Sequence, residues 1–147
     1  VDGEPSKIAE RVAAEVDEGG CAAIICNTVS RAQEAYEAMI DHLPDQEVVL
    51  VHSRFIGPHR MALERRLRDE LGPPSSESQR PERLVVVGTQ VLEQSLDIDV
   101  DLMVTDMAPV DLILQRSGRL HRHDRPLAAR PSRLRVARLL IAGVQGD

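Results

Sequence analysis

Cys21-Ala22-Ala23-Ile24-Ile25-Cys26-Asn27-Thr28 is the stretch whose reading decides the fold. Its apolar residues run without alternation and stop at Asn27-Thr28, so Ala22 to Cys26 reads as one buried strand. Beyond Thr28 the pattern returns at helical spacing, with Ala32, Ala35, Tyr36, Met39, Ile40 and Leu43 on one face until Pro44 ends it. Upstream, Ile8, Val12 and Val16 recur every fourth residue between Ser6 and Glu18 and stop at Gly19-Gly20, which predicts an amphipathic helix with a glycine cap.

The same grammar continues. Glu47 to His52 is a second β-branched run, and Gly57-Pro58 opens a helix through Leu71 that carries Met61, Leu63, Leu67 and Leu71. Leu84 to Val87 and Leu102 to Thr105 are further short apolar strands without alternation, as in a sheet covered on both faces. Val110 to Arg122 reads as a helix with Pro109 before it and Asp111 in its first turn, and Leu134 to Ile141 as a closing strand. The order predicts an α/β domain with a mostly parallel, doubly wound sheet. Residues 72–82, rich in Pro and Ser, are expected to be a flexible loop. Residues 1–147 read as a single domain, long enough to bury roughly two thirds of the unfolded surface.

Composition narrows the classes. The core is aliphatic, because Tyr36 and Phe55 are the only aromatics; modules that stack bases on a row of rings are excluded. No apolar run approaches the roughly 18 residues of a membrane span, and Val1-Asp2-Gly3-Glu4-Pro5 has no secretory pattern. Cys21 and Cys26, an odd number apart on one strand, point to opposite faces and are expected to be reduced core thiols of a cytoplasmic protein. The net charge of -6 is unevenly spread: Asp2 to Glu47 carries most of the acid, whereas Arg116 to Arg138 holds eight arginines against the single acid Asp124. A local basic surface able to meet phosphates is expected there.

The most informative block is Gln115-Arg116-Ser117-Gly118-Arg119-Leu120-His121-Arg122. On one helix, Arg116, Arg119 and Arg122 advance in steps of three and fan guanidinium forks along one flank. Gly118 inside that helix costs about 1 kcal/mol against alanine, which hints at close backbone approach. A solvated arginine face is the ordinary alternative. The block resembles motif VI of superfamily 2 helicases, Gln or His, Arg, x, Gly, Arg, x, x, Arg, at every defined position. The resemblance implies that Arg119 and Arg122 act as arginine fingers toward the γ-phosphate of ATP and that Gln115 helps sense it.

Val85 to Asp99 resembles motif V, a strand ending in Thr that runs to an acid eight positions on. By that likeness Thr89, with Gln90 beside it, contacts a nucleic-acid phosphate and Asp97 the nucleotide ribose, with Ser95 standing in the cofactor loop where many members have glycine. A simple turn cap at Thr89 and a loop acid at Asp97 account for the same residues. Ala23 to Val29 resembles motif IV, which would present Asn27 and Thr28 to the nucleic-acid backbone; a strand-to-helix cap is the competing explanation. Ser53 and Arg54, after the next strand, correspond to a further backbone-contacting turn. These modest signals occur in the family's order at loops that follow strands, where an open parallel sheet presents its ligands.

Glu93 to Asp99, Thr105-Asp106-Met107-Ala108-Pro109 and Gln115 to His123 together are similar to the CRISPR-associated helicase-nuclease of type I systems, and the likeness covers most of Ala22 to Arg125. It implies a RecA-like three-layer α/β/α fold, the second motor half of an ATP-dependent DNA helicase or translocase in antiviral defence. Its implied partners are single-stranded DNA, a first RecA-like domain of the same polypeptide and the CRISPR surveillance complex. Lys7 is the only lysine, so no Gly-x-x-x-x-Gly-Lys phosphate loop exists. The chain is therefore expected to be a fragment, inactive alone, whose ATP and Mg2+ ligands come mostly from the missing half. His121 and His123 lack a ligand pattern, so no metal is expected. An RNA helicase half, a DNA-repair translocase half and a non-catalytic docking module are the alternatives.

Overall fold

The computed structural model describes residues 1–52, 57–74, 80–90, 92, 97–126 and 129–143. In chain order its elements are α1 (Pro5–Glu15), β1 (Gly20–Ile25), α2 (Val29–Ile40), a 3-10 turn (Asp45–Glu47), β2 (Val48–Val51) and α3 (Gly57–Leu71). Then follow β3 (Arg83–Gly88), β4 (Leu102–Asp106), α4 (Val110–Ser117), a second 3-10 turn (Ser132–Leu134) and β5 (Arg138–Ala142). The five strands form one sheet in the order β2-β3-β1-β4-β5, and every pairing is parallel.

Unalternating strands make sense here because both faces are covered. On one face Ile8 and Val12 from α1, Val16 just beyond its end, and Ala32, Ala35 and Met39 from α2 pack on Ala22, Ile24, Val85 and Val104. On the other, Leu67 and Leu71 of α3 cover Ala23, Ile25, Val49, Val86 and Met103. The result is the three-layer α/β/α arrangement expected. Cys21 and Cys26 fall in opposite layers. Both are buried and unpaired to one another, and burial pushes each thiol up to about 12, so neither is a nucleophile near neutrality.

Two glycine positions are dictated by geometry. Gly19 and Gly20 have φ of 106° and 121°, which side-chain-bearing residues rarely adopt, and they turn the chain from α1 into β1. Gly88 ends β3 where a Cβ would lie 2.6 Å from the Val51 carbonyl oxygen and 2.8 Å from Leu92 Cδ1. Gly88→Ala should therefore force β3 off β2 and cost about 1–3 kcal/mol. Thermal unfolding of the chain should show the midpoint several degrees lower, and an unchanged midpoint would mean that the strands slide apart freely.

The structure departs from the sequence expectation at two places. The helix from Val110 stops at Ser117 instead of running to Arg122, with the Gly118 N–H closing it onto Leu114 O and Gln115 O, both at 3.2 Å. The last strand begins at Arg138, because Pro131 opens the turn that buries Leu134 between the α1 layer and Gly20. Of the expected flexible loop, residues 75–79 lie outside the described residues, while its flanks are tied down by Arg125 Nη2 to Gly72 O, 2.9 Å, and Arg80 Nη1 to Asp99 O, 2.9 Å.

Candidate functional site

The connection leaving β1 runs toward β2 and the one leaving β4 runs toward β5, so the sheet order reverses between β1 and β4. Their carboxyl ends flank the crevice where open α/β sheets bind ligands. Asn27 stands at this point. Its backbone N–H donates to Asp106 Oδ2 at 2.9 Å and its side-chain amide to Met107 O at 2.8 Å. Arg31 closes the same carboxylate from α2 through Nε, 3.0 Å, and Nη2, 2.8 Å. Thr28 caps α2 by accepting the Arg31 N–H at 3.2 Å. The competing cap explanation thus holds as a structural role, yet both Asn27 and Thr28 remain exposed.

Thr89 sits at the carboxyl end of β3 and is only 2% exposed. Its hydroxyl is buried with no hydrogen-bond partner among the described residues, whereas neighbouring Gln90 is exposed. Ser53, Arg54 and Ser95 lie outside the described residues.

The arginine block does not form the single flank expected from a continuous helix. Arg116 turns inward, 2% exposed, and its Nη1 donates to Thr105 Oγ1 at 2.9 Å. Gln115 stays exposed on α4. Past Gly118 the chain continues as a turn, with Arg119 N–H on Arg116 O and Leu120 N–H on Ser117 O, both 3.0 Å, and it bridges to the segment before β4: Val100 N–H donates to Arg119 O and His121 N–H to Val100 O, both 2.9 Å, around a parallel bridge between Val100 and Leu120. Arg119, partly buried, and Arg122, exposed, therefore leave from a turn pinned beside the sheet.

That loop brings two expected site residues into contact. Arg122 Nε donates to Asp97 Oδ1, and His123 Nε2 meets the same oxygen at 2.9 Å. Asp97 is 51% exposed, and the bonds from His123 and Arg122 hold its carboxyl below the usual aspartate range.

Beneath lies a feature that sequence reasoning missed. Asp99 and Asp101 are buried, and three arginines converge on them. Arg125 Nε reaches Asp99 Oδ2 at 2.6 Å, Arg130 bridges both acids, and Arg80 Nη2 lies 3.1 Å from Asp101 Oδ2. Asp99 Oδ1 also accepts the Arg122 N–H at 2.7 Å, and Asp101 Oδ2 the Cys21 N–H at 2.8 Å. Much of the basic run therefore turns inward instead of forming the phosphate-facing surface expected of it: Arg116, Arg125 and Arg130 are buried or nearly so, and Arg138 binds Glu15. The alternating acids Asp97, Asp99 and Asp101 were the available signal.

This arrangement, a carboxylate and guanidinium paired at the rim over a buried ion cluster, is carried by a chain with clear relatives. Residues 18–125 match the family model described as CRISPR-associated nuclease/helicase Cas3, C-terminal. The chain belongs to the Cas3 family. It is 44% identical over 128 residues to the CRISPR-associated nuclease/helicase Cas3 of Streptococcus thermophilus, a match covering 87% of this chain and 13% of that protein. Among solved structures, T. fusca Cas3-AMPPNP superposes with a TM-score of 0.86 at 34% identity, covering 100% of this chain and 18% of the other. A chain of the CRISPR RNA-guided surveillance complex, pre-nicking, gives a TM-score of 0.69 at 36% identity, with 96% and 17% covered. The chain thus spans less than a fifth of the length of these Cas3 relatives.

Proposed function

We propose that this chain is the second RecA-like motor half of an ATP-dependent DNA helicase or translocase of a type I CRISPR antiviral system. The observation that carries the reading is the direct contact between Asp97 and Arg122, which joins the acid of the motif V likeness to the last arginine of the motif VI likeness. The donor set fits a nucleotide. A half-exposed carboxylate can only accept, which suits ribose hydroxyls, and guanidinium forks suit phosphate oxygens. Only Nε of Arg122 engages Asp97, so apart from a 3.4 Å contact of Nη1 to Gly118 O the end of the fork takes no partner among the described residues.

In this reading ATP with Mg2+ supplies the transferable phosphoryl group, and the metal's ligands and the phosphate cradle belong to a first RecA-like domain of the same polypeptide. Arg119 and Arg122 place fixed cations at the shared cleft, Gln115 reads its state from α4, and Asp97 with Ser95 lines the nucleoside end. Asn27, Thr28, Ser53, Arg54, Thr89 and Gln90 hold one DNA strand by its backbone, a contact that carries no sequence information. Opening and closing of the two halves moves the motor along the strand. The surveillance complex delivers the enzyme to DNA, which matches the setting in which a 36% identical relative was solved. The protein works in the cytoplasm; none of the described helices is long and apolar enough to cross a membrane.

The test is ATP turnover of a protein containing both halves, with single-stranded DNA or RNA of the same sequence. DNA should stimulate turnover strongly and RNA leave it near the basal rate. Stimulation by RNA alone would replace this reading with an RNA helicase, and no stimulation by either with a docking module.

A further inference from the structure

Resting on the assignment of Asp97 to the ribose, we propose that His123 is a positioning residue for the nucleotide site: it fixes one oxygen of Asp97 so that the other faces the sugar hydroxyls. His123 lies one residue beyond the arginine motif, and no role follows for it from that pattern. Its Nε2 stands 2.9 Å from Asp97 Oδ1. A carboxylate only accepts, so Nε2 carries the hydrogen. Arg122 donates to the same oxygen, and Oδ2 takes no hydrogen bond from the described residues. Two donors on one oxygen fix the rotation of a side chain that is otherwise half exposed, and leave the second oxygen as the acceptor that a ribose 2′- or 3′-hydroxyl requires.

The imidazole is built to hold still. His123 is 11% exposed, its Nδ1 is buried without a hydrogen-bond partner among the described residues, and its carbonyl oxygen accepts from Arg130 Nη2 at 3.3 Å. Arg130 is itself anchored on Asp99 and Asp101. A rigid chain therefore runs from the buried ion cluster through His123 to the rim carboxylate. Arg122, 40% exposed and needed at the phosphates, cannot serve as a permanent clamp for Asp97, whereas His123 can.

The experiment compares ATP with 2′,3′-dideoxy-ATP in the full-length enzyme, with saturating single-stranded DNA. His123→Ala should raise the KM for ATP on the order of tenfold, the scale of one hydrogen bond to a charged group, with kcat nearly kept and the KM for the dideoxy nucleotide unmoved. His123→Gln, which returns an N–H donor to a similar place, should restore discrimination between the two. A Gln variant as poor as the Ala variant, or an equal loss of kcat with both nucleotides, would mean a structural role and overturn the proposal. Asp97→Ala separates the layers. If it abolishes discrimination while His123→Ala leaves it intact, the positioning role alone fails; if Asp97→Ala also leaves discrimination intact, the ribose assignment fails and the proposal with it.

Discussion

Arg119→Ala in the full-length enzyme should lower ATP turnover by about a thousandfold or more, the range measured for arginine fingers, while affinity for single-stranded DNA stays within a few-fold. The size follows from how the residue is held. Its N–H donates to Arg116 O at 3.0 Å and its carbonyl accepts the Val100 N–H at 2.9 Å. Leu120, next in the chain, packs against the α3-side core. The guanidinium thus leaves from a fixed backbone point, and a preorganised cation stabilises developing charge without reorganisation, which replacing water cannot match. Arg119→Lys should recover only part of the loss, because an ammonium offers a point charge in place of a planar fork. DNA binding should be spared because Asn27 and Thr28, the DNA-facing residues of the proposed reading, belong to a different loop, anchored on Asp106 and α2. Steady-state ATPase with saturating DNA, beside fluorescence anisotropy of a labelled strand, measures both quantities. Turnover near wild type in the alanine variant would remove Arg119 from the cleft.

What could be read beforehand follows from where the determining contacts lie. Strands β1 to β4 were legible because a strand buried on both faces must be apolar at every position, and Ala22 to Ile25 and Val85 to Val87 are. Helix α3 was legible from Gly57-Pro58 at one end and Gly72 after the other. The helix through the arginine block was not, because a three-residue spacing of arginines looks helical whether or not the backbone is. What ends it is long-range: the 119–121 backbone finds partners on Val100, and Arg116 finds Thr105 across the sheet face. At the candidate site the local order of motifs pointed to Asp97, Gln115, Arg119 and Arg122, and the structure brings Asp97 and Arg122 into contact. The ion cluster was not, since Asp99 meets Arg80, Arg125 and Arg130 from 19 to 31 residues away, and charge runs counted along the chain hide such pairings. His123 escaped for the same reason.

Asp99 is where loss should be felt most by the fold itself. It is fully buried, with guanidinium groups of Arg80, Arg125 and Arg130 around it and the Arg122 N–H on Oδ1. Removing the carboxylate leaves Arg125 without its acid and Arg130 and Arg80 with Asp101 alone; breaking a buried pair in this way costs about 3–5 kcal/mol, against a total stability of about 5–15 kcal/mol for an ordinary domain. Asp99→Ala and Asp99→Asn should therefore both move the urea midpoint far down, the amide helping little because it returns shape without charge. Burial pushes the Asp99 carboxyl up, but the bonds and charges of Arg125, Arg130 and Arg80 outweigh it and hold the group below the usual value. With the folded value depressed, this contribution is fully present above the ordinary aspartate pKa of about 3.9 and is lost as pH falls from there through the folded value. The gap in stability between wild type and Asp99→Asn should thus be constant near neutrality and narrow only in acid. A gap that instead narrowed toward alkaline pH, or a midpoint unmoved by either substitution, would show that Asp99 is not the anion on which the cluster is built. Because the same carboxylate holds the Arg122 backbone, a loosened cluster should also release the rim pair it supports, so the Asn variant should lose ATP turnover even at temperatures where it remains folded.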